Sequence, residues 1–173
     1  MKLMKSKTQA IPYILQKMYS QNDDWPCKKA LQKIVYLIEE KNIHLGFDYG
    51  IHFYGPYSAE LDSTVLTLIN DEIVHISQEG LSHKICLIDK TETDKRELSQ
   101  SERDAIDNVI DLFGRETPFV LELITTSHFV AQQRKITNTD QIIHEVKRIK
   151  GSKYSDLEIA EAITALKNAS YFS

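Results

Sequence analysis

The chain has 173 residues, of which 42% are hydrophobic and 27% are charged. A chain of this length and composition folds as one domain, or as two small lobes with a shared core, and falls outside the disordered class. Its formal net charge is −4, to which residues 1–95 and 96–173 each contribute −2. Proteins that bind along the phosphate backbone of nucleic acids usually carry a net positive charge, so the net negative charge of this chain disfavours a nucleic-acid-binding module.

The N-terminal residues and the two cysteines predict a reduced, cytoplasmic protein. The chain starts with the polar stretch Met1-Lys-Leu-Met-Lys-Ser-Lys7 and has no apolar run long enough for a membrane span. Cys27 and Cys86 are therefore expected to be free thiols. Cys86 alternates with apolar neighbours in a predicted strand, which favours an inert side chain.

Two helices are predicted in the first 41 residues. Ser6-Lys-Thr-Gln9 matches a capping box and predicts that the first helix begins there, with Pro12 close to its start. The second helix is predicted over about residues 26–41, because apolar residues recur at helical spacing. Three lysines flank this apolar stripe, namely Lys28, Lys29 and Lys33.

A strand, a helix and a hairpin are predicted next. The β-branched and aromatic stretch Ile51–Tyr54 predicts a strand that Gly55-Pro56 ends. Ser58 is a good N-cap for a helix over residues 58–70. Residues 73–89 predict a β-hairpin that turns near Glu79-Gly80. A helix followed by a hairpin is the recognition half of a winged helix.

The second half predicts a charged linker over residues 91–101 and then four helices. Gly114 and Gly151 mark helix ends, Thr117-Pro118 marks a start, and Ser155-Asp-Leu-Glu158 is a capping box. The predicted fold is mainly α, of the α+β type. A winged-helix-like N-terminal lobe with a β-hairpin wing, residues 1–95, packs on a four-helix C-terminal lobe, residues 96–173.

The motifs of common enzymes and metal sites are missing from the sequence. None of the six histidines belongs to a zinc-binding motif, and there is no Gly-x-Ser-x-Gly elbow or glycine-rich phosphate loop. His128 follows apolar residues at helical spacing, which predicts a packed, hydrogen-bonded core histidine. We therefore predict a protein that is not an enzyme and has no catalytic, cofactor-binding or metal-binding residues. An enzyme would instead require a polar pocket around His128 or His52.

The predicted recognition helix carries the wrong charge for DNA. Its first turn holds Glu60 and Asp62, and residues 58–70 contain no lysine or arginine. DNA binding would need cations from elsewhere, either from Lys28, Lys29 and Lys33 or from Lys147, Arg148, Lys150 and Lys153. The second group also suits a helix C-terminus, where cations are stabilised by the macrodipole. A continuous basic face along the helix would favour DNA binding, which remains the alternative.

Aromatic residues around Gly55-Pro56 favour a protein partner. Tyrosines concentrate at interfaces because they supply contact area together with a polar tip. The alternative is that these rings brace the turn, which is the better interpretation for Phe53. The predicted partner-binding residues are Lys29, Lys33, Tyr54 and Tyr57. No membrane partner is expected, and homodimerisation stays open.

Three segments together resemble a known family. They are Lys29-Ala-Leu-Gln-Lys-Ile-Val-Tyr-Leu37, His52-Phe-Tyr-Gly-Pro-Tyr-Ser58 and Leu121-Glu-Leu-Ile-Thr-Thr-Ser-His-Phe129. They resemble the bacterial YwgA-like family and, more distantly, the Panacea domain of SocA-like antitoxins. The second resemblance implies an antitoxin-like or adaptor module whose partner is a toxin or a protease component. The chain departs from Panacea in having Tyr-Gly-Pro where a Trp-x-x-Gly-Pro-like motif is common.

Overall fold

The computed structural model describes residues 2–41, 43–89 and 98–172, with side chains from Lys7 onward. The described part is mainly α, with two short antiparallel hairpins, which confirms the predicted fold class. The elements in chain order are α1 (Lys2–Asn22), α2 (Lys28–Glu39), β1 (Gly50–His52), β2 (Gly55–Tyr57), α3 (Ala59–Asn70), β3 (Val74–Glu79), β4 (Ser82–Leu87), α4 (Gln100–Phe113), α5 (Pro118–Arg134), α6 (Thr139–Lys150) and α7 (Asp156–Asn168).

Side-chain caps begin most of these helices, and three of the caps confirm the predicted starts. Ser58 accepts a hydrogen bond from the N–H of Leu61 at the start of α3. Thr117 caps α5 directly before a proline in the first turn. Ser155 caps α7 in a reciprocal capping box. These short polar signals satisfy the free N–H groups of a first turn, so the helices begin where the sequence predicts.

The predicted start of α1 is wrong. The helix runs Lys2–Asn22, so Ser6 lies inside it and Pro12 occupies its interior. An interior proline removes a backbone hydrogen bond, which normally weakens a helix. Burial compensates here, because Ile11 and Ile14 on either side of the proline are fully buried in the core. Packing therefore maintains the helix through the proline.

The predicted break at Gly55-Pro56 is also wrong. These residues form β2, which pairs with β1 in the register Gly50↔Tyr57, Ile51↔Pro56 and His52↔Gly55. The strand predicted over Ile51–Tyr54 therefore ends at His52, and Phe53 and Tyr54 form the tip of a hairpin. In a two-stranded hairpin each strand is an edge, where the missing N–H of a proline is tolerated.

Only part of the predicted linker can be compared with the structure, because residues 91–97 lie outside the described residues. At its other end the linker prediction is wrong. Ser99 and Glu102 form a reciprocal capping box, and α4 begins at Gln100. The acidic and polar residues that looked like a linker therefore include a helix start.

One hydrophobic core joins the two halves of the chain. Its buried residues come from α1, α2 and α3 in the first half and from α4, α5, α6 and α7 in the second. The predicted β3–β4 hairpin is confirmed, in the register Val74↔Leu87 through Glu79↔Ser82. The order α1, α2, α3 and hairpin is that of a winged helix, but the winged-helix arrangement itself stays a prediction. None of the described helices is both long and apolar enough to cross a bilayer.

Candidate partner-binding site

The β1–β2 hairpin is seated directly on α5. Gly55 has φ +88°, and a Cβ added there would lie 2.8 Å from Oγ1 of Thr126. Both Gly55 and Pro56 are buried, whereas β1 and the tip are exposed. Gly55 directly follows the tip and pairs with His52, so this close approach holds the tip end of β2 against α5.

The hairpin tip presents two aromatic rings to solvent. Phe53 is 82% exposed and Tyr54 is 46% exposed, and their rings meet edge to face at 4.9 Å. The interpretation that the Phe53 ring braces the turn is therefore wrong. Nζ of Lys150 donates to the carbonyl of Phe53 at 2.7 Å, and Nζ of Lys29 lies 3.6 Å from the Tyr54 ring centre. The hydrogen bond therefore anchors the backbone at Phe53, and the cation–π contact restrains the Tyr54 ring.

A buried carboxylate anchors the lysines behind the tip. Nζ of Lys150 and Nζ of Lys153 each lie 2.7 Å from Oε1 of Glu122. Burial raises the pKa of Glu122, but the two ammonium groups outweigh burial and leave that pKa below its ordinary value. Glu122 is therefore ionised at neutral pH and joins α5 to the end of α6.

A cavity of about 290 Å³ lies between the start of α2 and the hairpin. One wall is the first turns of α2, and the other is the hairpin tip together with the first turn of α3. The lining residues are Lys28, Lys29, Gln32, Lys33, His52, Phe53, Tyr54, Gly55, Tyr57 and Asp62. Cationic and aromatic side chains thus converge on one opening.

Lys33 is the most buried charged residue of this cavity. It is 3% exposed, and its Nζ donates to the carbonyl of Pro56 at 2.6 Å. Across the described residues, no carboxylate lies within ion-pair distance of this ammonium group. Burial lowers the pKa of Lys33 to about 8, with Glu122 opposing that effect in part. The side chain is therefore still mostly protonated at neutral pH.

The acidic residue of the cavity is already bound by its neighbours. The hydroxyl of Tyr57 donates to Oδ2 of Asp62 at 2.6 Å, and the amide of Gln32 donates to Oδ1 at 3.1 Å. The same amide exchanges two hydrogen bonds with the backbone of Ser58. These contacts position the Tyr57 ring, which packs against His52 with the ring centres 4.7 Å apart.

Comparison with known proteins places the chain in a family. No family model matches the sequence. The uncharacterised protein YwgA of Bacillus subtilis strain 168 is 30% identical over 118 residues, which cover 65% of this chain and 69% of the relative. The chain belongs to the YwgA-like family. The resemblance to the Panacea domain stays a prediction.

In this YwgA-like chain, two of the three segments that carry the resemblance border the cavity. Residues 29–37 begin on the α2 wall, and residues 52–58 form the hairpin wall. The four predicted partner-binding residues, Lys29, Lys33, Tyr54 and Tyr57, all line this cavity. The structure thus brings them together, and their role in binding stays a prediction.

Sequence reasoning missed the role of Glu122. Lys150 and Lys153 were considered as phosphate contacts or as helix-end cations, whereas the structure pairs them with this buried carboxylate. The available signal was an acidic residue between Leu121 and Leu123 in an otherwise apolar stretch.

The prediction for His128 is confirmed. It is buried, and its Nδ1 lies 2.7 Å from the hydroxyl of Tyr36. Burial lowers the pKa of His128 to about 4, so the ring is neutral at physiological pH. In the part of the chain that the structure describes, no histidine, cysteine or carboxylate group is arranged to hold a metal ion.

Proposed function

We propose that this chain is a protein-binding module and that its recognition surface is the tip-and-cavity surface, which comprises Lys29, Lys33, Phe53, Tyr54 and Tyr57. The observation that carries this proposal is the pair of exposed aromatic rings beside a cationic cavity. Aromatic anchors that are fixed before binding lose little conformational entropy when they are covered. Lys29 restrains the Tyr54 ring, and Lys150 restrains the backbone at Phe53.

The charge around the tip-and-cavity surface favours an acidic partner. Five lysines surround it, against the two carboxylates of Asp62 and Glu122, so the local formal charge is +3 in a chain whose net charge is −4. The lysines are Lys28, Lys29, Lys33, Lys150 and Lys153. A complementary negative segment would be attracted here and excluded from most of the remaining surface. The finer proposal is an antitoxin-like or adaptor role, with a toxin or a protease component as partner.

Affinity capture with matched variants tests this proposal. Phe53→Ser and Tyr54→Ala change the exposed tip, and Leu81→Ser is the control, because Leu81 is fully exposed at the turn of the other hairpin. We expect the wild type and Leu81→Ser to capture the same protein from a host lysate in equal amounts. The two tip variants should capture at least tenfold less of it. The retained protein should then bind the purified wild type directly. Equal recovery by all four chains would reject the surface.

A winged-helix regulator that binds DNA is the second candidate. The observation that favours it is the convergence of lysines from α2 and from the α6–α7 region, beside the first turn of α3. The exposed face of α3 opposes it, because that face carries Ser63, Leu66, Thr67 and Glu60, which pairs with Lys7 at 2.9 Å. This helix therefore offers phosphates no cation of its own.

Fluorescence anisotropy with labelled genomic DNA fragments separates the two candidates. A regulator would bind tightly, with an affinity that falls steeply as salt rises and a slope that flattens when Lys28 and Lys29 are replaced by methionine. We expect weak binding without that dependence. A steep dependence of DNA affinity on salt that weakens when both lysines are replaced would reject the protein-binding proposal in favour of a DNA-binding regulator.

A further inference from the structure

We propose that the cavity receives one carboxylate side chain of the partner protein, which forms an ion pair with the ammonium group of Lys33. This inference rests on the proposed protein-binding function and specifies its chemistry. It assigns the deepest contact to Lys33, while the exposed rings of Phe53 and Tyr54 cover the residues that flank the carboxylate.

The burial of Lys33 is the first support for this assignment. An ammonium group has three N–H donors, and the structure gives this one a single acceptor, the carbonyl of Pro56. A buried charge is expensive unless it is paired. The nearby carboxylate of Glu122 already binds Lys150 and Lys153. A carboxylate that entered the cavity would supply the missing counter-charge.

The remaining charges of the cavity match one negative group better than a doubly charged phosphate. Asp62 lies on the wall and would repel a second negative charge. Two backbone N–H groups at the start of α2 are already hydrogen-bonded. The N–H of Ala30 donates to Sγ of Cys27, and the N–H of Leu31 donates to the carbonyl of Cys27. Phosphate sites at helix starts depend on such N–H groups. A carboxylate needs no such N–H groups, because it can pair with the ammonium of Lys33 and is attracted by the positive charges of Lys28 and Lys29.

The shape of the site indicates where the carboxylate comes from. The cavity opens to solvent beside the hairpin tip, and its volume of about 290 Å³ exceeds that of an aspartate or glutamate side chain. The space beyond the carboxylate is bordered by Phe53, Tyr54 and Tyr57, which suit apolar neighbours in a peptide. An acidic residue between apolar residues therefore fits both parts of the site.

The test uses the full chain and a fluorescein-labelled ten-residue peptide that alternates glutamate with leucine. A glutamine version of the peptide removes the charge, and a phosphoserine version distinguishes phosphate from carboxylate. Lys33→Met removes the buried charge. Lys17→Met is the matched control, because it makes the same charge change on α1, where Lys17 pairs with Asp107.

We expect the glutamate peptide to bind the wild type and Lys17→Met equally, and Lys33→Met at least tenfold more weakly. The glutamine peptide should bind all three chains as weakly as Lys33→Met binds the glutamate peptide. Equal weakening in both lysine variants would indicate unspecific attraction and would overturn the assignment. Tighter binding of the phosphoserine peptide would overturn the preference for carboxylate.

A measurement on the wild type avoids any effect of Lys33→Met on folding. In a chain with 13C-labelled lysine, NMR follows the titration of the Lys33 side chain with and without the glutamate peptide. An ion pair favours the charged form, so the pKa of Lys33 should rise from about 8 towards its ordinary value of 10.5. An unchanged pKa with bound peptide would place the carboxylate elsewhere.

The two proposals can fail separately. If Tyr54→Ala loses the captured partner while Lys33→Met retains it with full affinity, the protein-binding function stands and the carboxylate contact is rejected. If neither variant loses the partner, the tip-and-cavity surface itself is rejected.

Discussion

Lys33 carries a buried positive charge whose cost should be measurable from the pH dependence of stability. Burial lowers its pKa to about 8 in the folded chain, against 10.5 when it is unfolded. Between these values the unfolded chain binds more protons, so stability rises with pH. At about 1.4 kcal/mol for each tenfold change in proton affinity, the gain amounts to about 3 kcal/mol.

The experiment compares the wild type with Lys33→Met by urea unfolding from pH 7.5 to 10.5. The free energy of unfolding of the wild type should rise relative to that of the variant across this range, because the folded and unfolded pKa values of Lys33, about 8 and 10.5, both lie within it. Other groups that titrate contribute to both chains and cancel in the difference. A constant difference would mean that Lys33 is hydrated in the folded protein.

Gly55 is expected to be the least replaceable glycine of the hairpins. In Gly55→Ala the methyl group meets Oγ1 of Thr126 at 2.8 Å, and φ +88° is strained for any residue with a Cβ. We expect a loss of about 2–4 kcal/mol of stability in urea unfolding. The control Gly80→Ala has φ +59° but open space around it, so it should lose only about 1 kcal/mol.

A double variant separates the contact from the backbone strain. Thr126→Ala removes the atom that the new methyl group would meet, and Oγ1 of Thr126 is buried without a hydrogen-bond partner. Combined with Gly55→Ala it should recover part of the lost stability. No recovery would assign the whole loss to backbone conformation.

Helix α5 depends on the charge pair that joins it to the end of α6. Glu122→Gln would leave the ammonium of Lys150, which is as buried as the carboxylate, without its counter-charge. Removing one partner of a buried ion pair costs about 3–5 kcal/mol. Thermal unfolding should show this loss, and Lys150→Met in the same chain should return part of it. The control Glu145→Gln breaks surface pairs with Arg134 and Arg148 and should change the midpoint little.

The sign of the pH dependence follows from the same pair. The pKa of Glu122 is lower in the folded chain than in the unfolded chain. The contribution of Glu122 to stability is therefore fully present above its unfolded-state pKa and is lost as the pH falls through its folded-state pKa. The difference between the wild type and Glu122→Gln should therefore shrink in acid. A difference that persists with Glu122 protonated would indicate packing rather than charge.

Three helix starts could be predicted from short local signals, whereas the signal at Ser6 was misleading and the one at Ser99 was missed. The three are the caps at Ser58, Thr117 and Ser155, where the satisfied N–H groups belong to the same turn. Strand β2 was missed because its pairing depends on β1 and its burial depends on α5. The start of α1 was misplaced because core packing, rather than the local signal, maintains the helix across Pro12.

The candidate site was predictable only in part for the same reason. Lys29, Lys33, Tyr54 and Tyr57 could be selected because their residue types suit recognition, and they come from two short segments. The lysines that bind Glu122, Lys150 and Lys153, lie 28 and 31 residues along the chain from it. No local pattern encodes that pairing, and it appears only once α5 and α6 pack together.

The halves of the chain are connected by buried contacts, which bears on how the molecule unfolds. The hydroxyl of Tyr36 on α2 lies 2.7 Å from His128 on α5, and Tyr13 on α1 donates to Asp107 on α4 at 2.8 Å. The hydroxyl of Tyr171 donates to the carbonyl of Leu37 at 2.7 Å. Residues 1–95 therefore share one hydrophobic core with the second half.

We expect a single cooperative unfolding transition for the whole chain, in which the two predicted lobes behave as one compact unit. The sole tryptophan, Trp25, packs on Tyr19 and reports on the first half, whereas circular dichroism reports on the helices of both halves. The two signals should give the same urea midpoint, and a fragment of residues 1–95 should be unfolded at 25 °C. Separate midpoints, or a folded fragment, would contradict a shared core. Coincident midpoints would also mean that a variant in the α2 wall of the cavity destabilises α5 and the C-terminal helices, because both belong to one cooperative unit.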